Sequence, residues 1–177
     1  MTEYIDVVDE TNKVQYQATR EKVHSAGLWH RGVHVLIFNS DGRMLLPLRS
    51  PNKDKFPNCY DISISEHCGA GESYEEVARR GLREELRIHD PELTLLGIFK
   101  IECGPTDRMI SALYKCLYDG DIEVNKEEIA DIGPKTIQEL KELLHTQADK
   151  FAPWTREILQ WYFKQLSKIR PFKEHYE

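Results

Sequence analysis

The stretch "GESYEEVARRGLREELRI" (71–88) decides the fold, because it joins a strong helix start to an unusual helix interior. Ser73 is followed three residues later by Glu76, the capping-box spacing, and this predicts a helix that begins near Tyr74. Gly81 then falls in the middle of the helix, where glycine costs about 1 kcal/mol relative to alanine. Something other than helix stability must account for this glycine.

Two carboxylates lie on the same side of the predicted helix as the glycine. At about 100° per residue, Gly81, Glu84 and Glu85 share one face. The other faces are an apolar stripe and an arginine stripe, formed by Ala78, Leu82 and Leu86 and by Arg79, Arg80, Arg83 and Arg87. The acidic face is either a solvated turn or a site where a positive group separates the two carboxylates. That group is a divalent cation with oxygen ligands or an arginine.

Segments with strand character surround the helix. Asp-Gly within "NSDG" predicts a hairpin between "VHVLIF" and "RMLLPL", and Pro47 indicates a strand edge or a bulge. An earlier hairpin is predicted around "DETNK". Further strands are predicted in "CYDISIS", "LTLLGIFKI" and "MISALYKCLY", and further helices in "TIQELKELLH" and "PWTREILQWYFKQLSKI". Strands and helices do not alternate regularly, so we expect an α+β fold in a single domain, residues 1–177.

Composition narrows the class of protein. The chain has 177 residues, 40% of them hydrophobic, and a net charge of -6, which argues against nonspecific binding of nucleic acid. It has no long apolar run and no signal peptide, so no membrane association is expected. The cysteines form no C-x-x-C pair, which indicates reduced thiols in a cytoplasmic protein and argues against a zinc site; they are Cys59, Cys68, Cys103 and Cys116.

The helix and the residues before it resemble the Nudix hydrolase signature, G-x5-E-x7-R-E-U-x-E-E-x-G-U, in which U is aliphatic. Six positions match in register: Glu72, Arg80, Leu82, Glu84, Glu85 and Ile88. Three positions depart from it. Glu66 replaces the first glycine, Gly81 replaces the glutamate after the arginine, and Arg87 replaces the late glycine.

The resemblance implies a Nudix α/β/α sandwich with a mixed central sheet, which is an α+β fold. It also implies hydrolysis, dependent on Mg²⁺ or Mn²⁺, of a small-molecule diphosphate that is often a nucleotide; family members commonly form homodimers. Glu84 and Glu85 would be the catalytic metal carboxylates. Glu72 and Arg80 would fix the loop on the helix and complete the metal shell.

Gly81 and Glu66 leave two interpretations open. In the family, position 81 carries a glutamate near the metal, and the glycine replaced by Glu66 lies close to the same site. The Glu66 carboxylate could therefore fill the space that Gly81 opens, which would make Glu66 a metal ligand and a catalytic residue. Alternatively, Gly81 only allows close packing against a strand, and Glu66 is solvated.

The resemblance extends to the branch of Nudix proteins that contains isopentenyl-diphosphate isomerase. The segments "EYIDVVDETNKV", "LWHRGVHVLIFNSDGRMLLPLRSPNKDKFPNCYDIS" and "FAPWTREIL" carry it. His30 and His67 match metal-binding histidines of that isomerase. Ser65, however, stands at its catalytic cysteine position, which argues against isomerisation.

Basic residues in the loop "RSPNKDKFP" are candidates for binding the diphosphate, because that branch uses this loop for the same purpose. They are Arg49 and two lysines, Lys53 and Lys55, and His67 joins them as a substrate-binding candidate. The function expected from the sequence is that of a metal-dependent Nudix hydrolase acting on the diphosphate linkage of a nucleoside diphosphate derivative. The alternatives are an isomerase-like enzyme and a catalytically impaired nucleotide-binding module.

Overall fold

A computed structural model describes residues 2–172 and contains a mixed β-sheet flanked by helices. Its strands are β1 (Tyr4–Val8), β2 (Val14–Thr19), β3 (Trp29–Phe38), β4 (Met44–Arg49), β5 (Ile64–His67), β6 (Leu93–Glu102), β7 (Arg108–Leu117), β8 (Ile129–Lys135) and β9 (Arg170–Pro171). Its helices are α1 (Arg20–Ser25), α2 (Tyr74–Leu86), α3 (Ile137–Thr146) and α4 (Pro153–Tyr162), and a 3₁₀ turn spans Ala148–Lys150. The predicted α+β class is confirmed.

Strand β3 organises the sheet. One edge pairs in parallel with β7 along its whole length, from Trp29 to Phe38. The other edge is shared in turn by β1, by β5 and by β4, which meets it only where Phe38 lies opposite Met44. From there β4 turns away and pairs with β8. The sheet therefore splits between β4 and β5.

Ser63, directly before β5, bridges β3 and β4 where the two strands no longer pair. Its hydroxyl accepts a hydrogen bond from the Ile37 amide at 3.0 Å and donates one to the Leu45 carbonyl at 2.7 Å. All three residues are buried. One side chain thus satisfies backbone groups of β3 and β4 that would otherwise have paired in the sheet.

Two large apolar clusters, one on each face of the sheet, form most of the core, and a third, small cluster joins Ile5 and Val7 of β1 to Val23 of α1. On one face, Val77, Ala78, Leu82 and Leu86 of α2 pack against β3 residues such as Val33 and Val35. On the other face, α3 and α4 pack against Leu36 and Phe38, using Leu140, Leu144, Trp154, Ile158 and Leu159. The layers are the expected α/β/α sandwich.

The structure differs from the sequence prediction in five elements. The last helix ends at Tyr162 rather than continuing to Ile169, and Lys164 adopts a left-handed conformation (φ 57°) that stops it. A strand was predicted in "CYDISIS", residues 59–65, but the observed strand starts later and spans Ile64–His67. Helix α1 and strands β8 and β9 were not predicted, because the sequence gives none of them a clear periodic pattern.

Several smaller predictions can be compared directly with the structure. Pro47 lies within β4, opposite Ile132 of β8, and the bulge comes after it, between Leu48 and Arg49. Pro153 occupies the first turn of α4, as predicted. All four cysteines are free thiols. Among residues 2–172, no helix has the length and apolar character needed to cross a membrane.

Candidate active site

Helix α2 begins and ends as its sequence requires. The Ser73 hydroxyl accepts a hydrogen bond from the Glu76 amide, and the Glu76 carboxylate accepts one from the Ser73 amide, so the predicted capping box is present. Glu75 pairs with Arg79 at 2.8 Å. The helix closes on Arg87, which is left-handed at φ 56°. This backbone conformation explains why the resembling signature has glycine at that position.

Gly81 lies directly against strand β5. A Cβ atom on Gly81 would come within 2.8 Å of Ile64 Cγ2 and 3.2 Å of Glu66 Cγ. The first distance is shorter than any normal carbon contact, so the helix could not approach the strand this closely with a larger residue. The side-chain stem of Glu66 thus occupies space beside the bare backbone of Gly81.

Glu66, which is partly buried, and Glu85, which is buried, are neighbouring acids at this contact. Their carboxyl groups lie close enough that each affects the pKa of the other. Burial, and then the neighbouring Glu66 carboxylate, raise the pKa of Glu85 well above its usual range. Burial also raises the pKa of Glu66. No lysine or arginine forms an ion pair with Glu85 in the part of the chain that the structure describes.

The two adjacent glutamates of α2 have different surroundings. Glu84 is half exposed and lies 3.7 Å from the Arg80 guanidinium, whereas Glu85 is buried. The sequence left two positive groups possible beside these carboxylates, a divalent cation or an arginine. Arg80 is that group for Glu84, but no arginine pairs with Glu85 among the described residues.

Arg80 and Glu72 fasten the preceding loop to the helix. Two nitrogens of Arg80 donate to the two carboxylate oxygens of Glu72, each at 3.1 Å. Glu72 also accepts a hydrogen bond from the Gly69 amide at 2.8 Å. Arg80 reaches Glu66 at 3.8 Å as well. Glu72 therefore has its oxygens committed to holding the loop.

A cleft of about 290 Å³ opens beside β5, and both basic and acidic side chains line it. Arg49 holds the loop that lines the cleft. Its guanidinium donates hydrogen bonds to the carbonyls of Lys55 and Phe56 and to the Asp61 carboxylate. Lys53 is paired with Glu128. Lys55 lines the cleft and makes no ion pair with a carboxylate among residues 2–172.

Three histidines meet at one end of the cleft region. Their ring nitrogens lie within 4.8 Å of one another, and they come from α1, β3 and β5: His24, His30 and His67. Nε2 of His24 is 3.2 Å from Nε2 of His67, and Nε2 of His30 is buried without a hydrogen-bond partner among the described residues. Burial lowers the pKa of all three, that of His30 to about 4. Neutral imidazoles are the form that binds metal.

The pleat of β5 separates the histidines from the acidic pair. Ile64 and Glu66 face helix α2, and Ser65 and His67 face the opposite side of the sheet. One strand therefore offers oxygen ligands on one face and nitrogen ligands on the other.

The structure brings most of the predicted residues together. Glu66, Glu72 and Glu84 each lie within 4 Å of Arg80, and Glu85 neighbours Glu66. The cleft is lined by Arg49, Lys53, Lys55 and His67. His24 was not among the predicted site residues. It lies on the short helix that the sequence did not reveal, so no local signal linked it to His30 and His67.

Known proteins resemble this chain along most of its length. A family model described as the NUDIX domain matches residues 28–162. The uncharacterised Nudix hydrolase YfcD of Escherichia coli K12 is 29% identical over 167 residues, which cover 94% of this chain and 90% of YfcD. The uncharacterised Nudix hydrolase SCO1686 of Streptomyces coelicolor is 35% identical over 72% of this chain and 71% of its own length. The crystal structure of DR0079 from Deinococcus radiodurans superposes with a TM-score of 0.75 and 28% identity, covering 92% of this chain and 98% of DR0079.

Proposed function

Because the chain belongs to the NUDIX family, we propose that it is a pyrophosphohydrolase that cleaves the diphosphate linkage of a small molecule, with Mg²⁺ or Mn²⁺ as its cofactor. One observation carries this proposal. Glu85 is a buried carboxylate in a small pocket that shares Arg49, Lys53 and Glu128 with the cleft, and it has a second carboxyl group beside it and no cation paired with it in residues 2–172. Burying an acid in this way is costly unless a positive charge joins it.

The residues around Glu85 fit a hard divalent ion. Carboxylate oxygens are its preferred ligands, and Glu85 with Glu84 would supply them. Glu72 would support the metal site indirectly, because its oxygens already accept hydrogen bonds from Arg80 and from the Gly69 amide. When bound, the ion neutralises phosphate oxygens and lowers the pKa of a coordinated water.

The basic wall of the cleft supports a diphosphate as the substrate. Lys55, which has no carboxylate partner in the described residues, would bind a phosphate group as a point charge. Arg49 keeps Lys55 in place, since it donates to the Lys55 carbonyl at 2.9 Å. A nucleoside diphosphate derivative is the substrate class that the family most often uses, and we propose that class here.

A panel assay tests the proposal. The protein is incubated with Mg²⁺ and nucleoside di- and triphosphates, sugar nucleotides and isopentenyl diphosphate, and phosphate or nucleoside monophosphate release is measured. We expect turnover of at least one nucleotide, a loss of at least about tenfold in Glu85→Gln, and wild-type turnover in Glu142→Gln, an exposed glutamate on α3. Equal turnover by the Glu85 and Glu142 variants would contradict the assignment of the site.

A second candidate, an isomerase-like enzyme, is favoured by the three-histidine cluster, which offers a nitrogen site for a metal. Ser65 opposes it, since a serine is a weaker acid than the cysteine of the isomerase. Isomerised product from isopentenyl diphosphate in the same panel would select this candidate. Saturable nucleotide binding without any product would instead select the impaired binding module.

A further inference from the structure

Residue 66 occupies an unusual position for a carboxylate. Its backbone belongs to the sheet, opposite Val33 of β3, and its side chain points to helix α2. Three quarters of that side chain is shielded from solvent, its exposed fraction being 25%. Glu66 is therefore not the solvated loop residue that one interpretation of the sequence described.

Two groups neighbour the Glu66 carboxyl group, the Glu85 carboxyl group and the Arg80 guanidinium. The nearest guanidinium, that of Arg80, remains 3.8 Å away, while Arg80 holds Glu72 more closely at 3.1 Å. This long ion pair leaves little positive charge between the two carboxylates, and bringing them together is unfavourable without a further cation.

Gly81 and Glu66 compete for the same volume. A side chain at position 81 would begin 3.2 Å from Glu66 Cγ, so a glutamate there could not extend along its usual path while Glu66 is present. Conversely, removal of the side chain at 81 leaves room for the stem of Glu66 to pass over the helix backbone. Each residue thus makes the other acceptable.

We propose that Glu66 supplies, from strand β5, the metal-binding carboxylate that the family signature places on the helix at position 81, and that the two positions work as one exchanged pair. This inference rests on the proposed metal-dependent hydrolysis and assigns one further ligand to it. The divalent ion would then lie between Glu66 of the strand and Glu85 of the helix. The helix then lacks one carboxylate of the signature, and strand β5 supplies it, so the number of acidic ligands at the site is unchanged.

Metal binding without substrate tests this directly. Free Mn²⁺ is measured by electron paramagnetic resonance during titration of the metal-free protein. We expect Glu66→Gln and Glu85→Gln each to weaken Mn²⁺ binding by about tenfold or more, and Glu142→Gln to bind as the wild type does. Wild-type affinity in Glu66→Gln with weakened affinity in Glu85→Gln would overturn the exchange and leave the proposed function standing. Failure of the wild-type protein to bind Mn²⁺ would overturn both.

A reciprocal exchange provides the second test. In Glu66→Gly the carboxylate is lost, and in Glu66→Gly/Gly81→Glu it returns on the helix, where Ile64 Cγ2 is the remaining close neighbour at 2.8 Å. We expect the double variant to bind Mn²⁺ more tightly than Glu66→Gly, by about threefold or more, a coupling typical of residues in contact. Gly81→Glu alone should be less stable than the wild type because Glu66 blocks it. If the double variant folds, as judged by circular dichroism, and binds no better than Glu66→Gly, the positions are not exchangeable; if it does not fold, the result for Glu66→Gln decides.

Discussion

Individual residues of the active-site helix depart from the family signature, and each departure has a local physical consequence. Arg87 is the clearest case, because it ends α2 in the left-handed conformation at φ 56° and ψ 26°. A residue with a Cβ pays a steric penalty there that glycine avoids. The same amide nevertheless caps the helix by donating to the carbonyls of Leu82 and Arg83.

Arg87→Gly should therefore stabilise the protein. We expect the free energy of unfolding to rise by roughly 0.5–1 kcal/mol, after the entropy lost by glycine is set against the relieved strain. Urea denaturation measures the change. Arg87→Ala, which removes the side chain but keeps the Cβ, is the control and should show no such gain; an equal gain in both variants would assign the effect to the arginine side chain.

His34 predicts a pH-dependent stability. It is fully buried in β3, and both ring nitrogens lack hydrogen-bond partners among residues 2–172. Burial lowers the pKa of His34 to about 4, below the value of about 6.5 in the unfolded chain. The unfolded state thus binds the proton more readily, so stability is retained above pH 6.5 and falls as the pH drops toward 4.

In His34→Leu, the fall in stability between pH 6.5 and 4 should be smaller than in the wild type, by on the order of 3 kcal/mol at the acidic end. Urea denaturation across that range tests it. His30, whose pKa is lowered in the same direction, keeps part of the dependence in both proteins. Parallel stability curves for variant and wild type would show that His34 is not the titrating group.

At the scale of single residues, the sequence predicted which residues form the acidic site but not which groups each of them contacts. Helical periodicity placed Gly81, Glu84 and Glu85 on one face, and the structure keeps that order along α2. It could not show that Glu84 turns to Arg80 while Glu85 is buried, because that difference depends on strand β5 packing against one side of the helix. His24 had no detectable signal at all.

Among the larger elements, the loop between β4 and β5 is held in part by the Arg49 guanidinium. The side chain of Arg49 is largely buried and joins the carbonyls of Lys55 and Phe56 to the Asp61 carboxylate. Asp61 in turn accepts hydrogen bonds from Trp154 and Thr155 of α4. The loop that carries Lys55 is thereby connected to the opposite helix layer.

Arg49→Lys should loosen this loop although it retains the charge. A lysine cannot reach the three acceptors at once, and we expect the free energy of unfolding to fall by about 2 kcal/mol. Cleavage within residues 50–58 by limited proteolysis should become faster as well. Arg43→Lys, on the exposed turn after β3, is the matched control and should change neither measurement. Unchanged proteolysis in Arg49→Lys would mean that other contacts order the loop.

The order of strands belongs to the whole molecule and could not be read from the sequence. Local signals identified β3, β4, β6 and β7, yet the parallel pairing of β3 with β7 joins segments that lie far apart in the chain. The division of the other β3 edge among three strands likewise depends on tertiary packing. The resemblance to a family supplied the α/β/α layers that propensity alone could not.

Metal binding should stabilise the whole fold, because the proposed ligands come from β5 and α2 and are together only in the native state. At a Mg²⁺ concentration about 100 times its dissociation constant, linkage predicts a gain of about 2.7 kcal/mol. Thermal unfolding with increasing Mg²⁺ measures it as a rising melting temperature. The rise should disappear in Glu85→Gln and persist in Glu142→Gln. A rise of equal size in Glu85→Gln would place the stabilising ion elsewhere.

The Ser63 hydroxyl, which joins the Ile37 amide to the Leu45 carbonyl, has a consequence for how a ligand enters. Because it bridges β3 and β4 at a fixed separation, the small pocket that Ser63 lines together with Glu85 has its shape before any ligand arrives. A ligand need not separate paired strands or leave a backbone group without a partner. Recognition on this side is therefore preorganised, and its conformational entropy cost falls chiefly on the ligand and on flexible side chains such as that of Lys55.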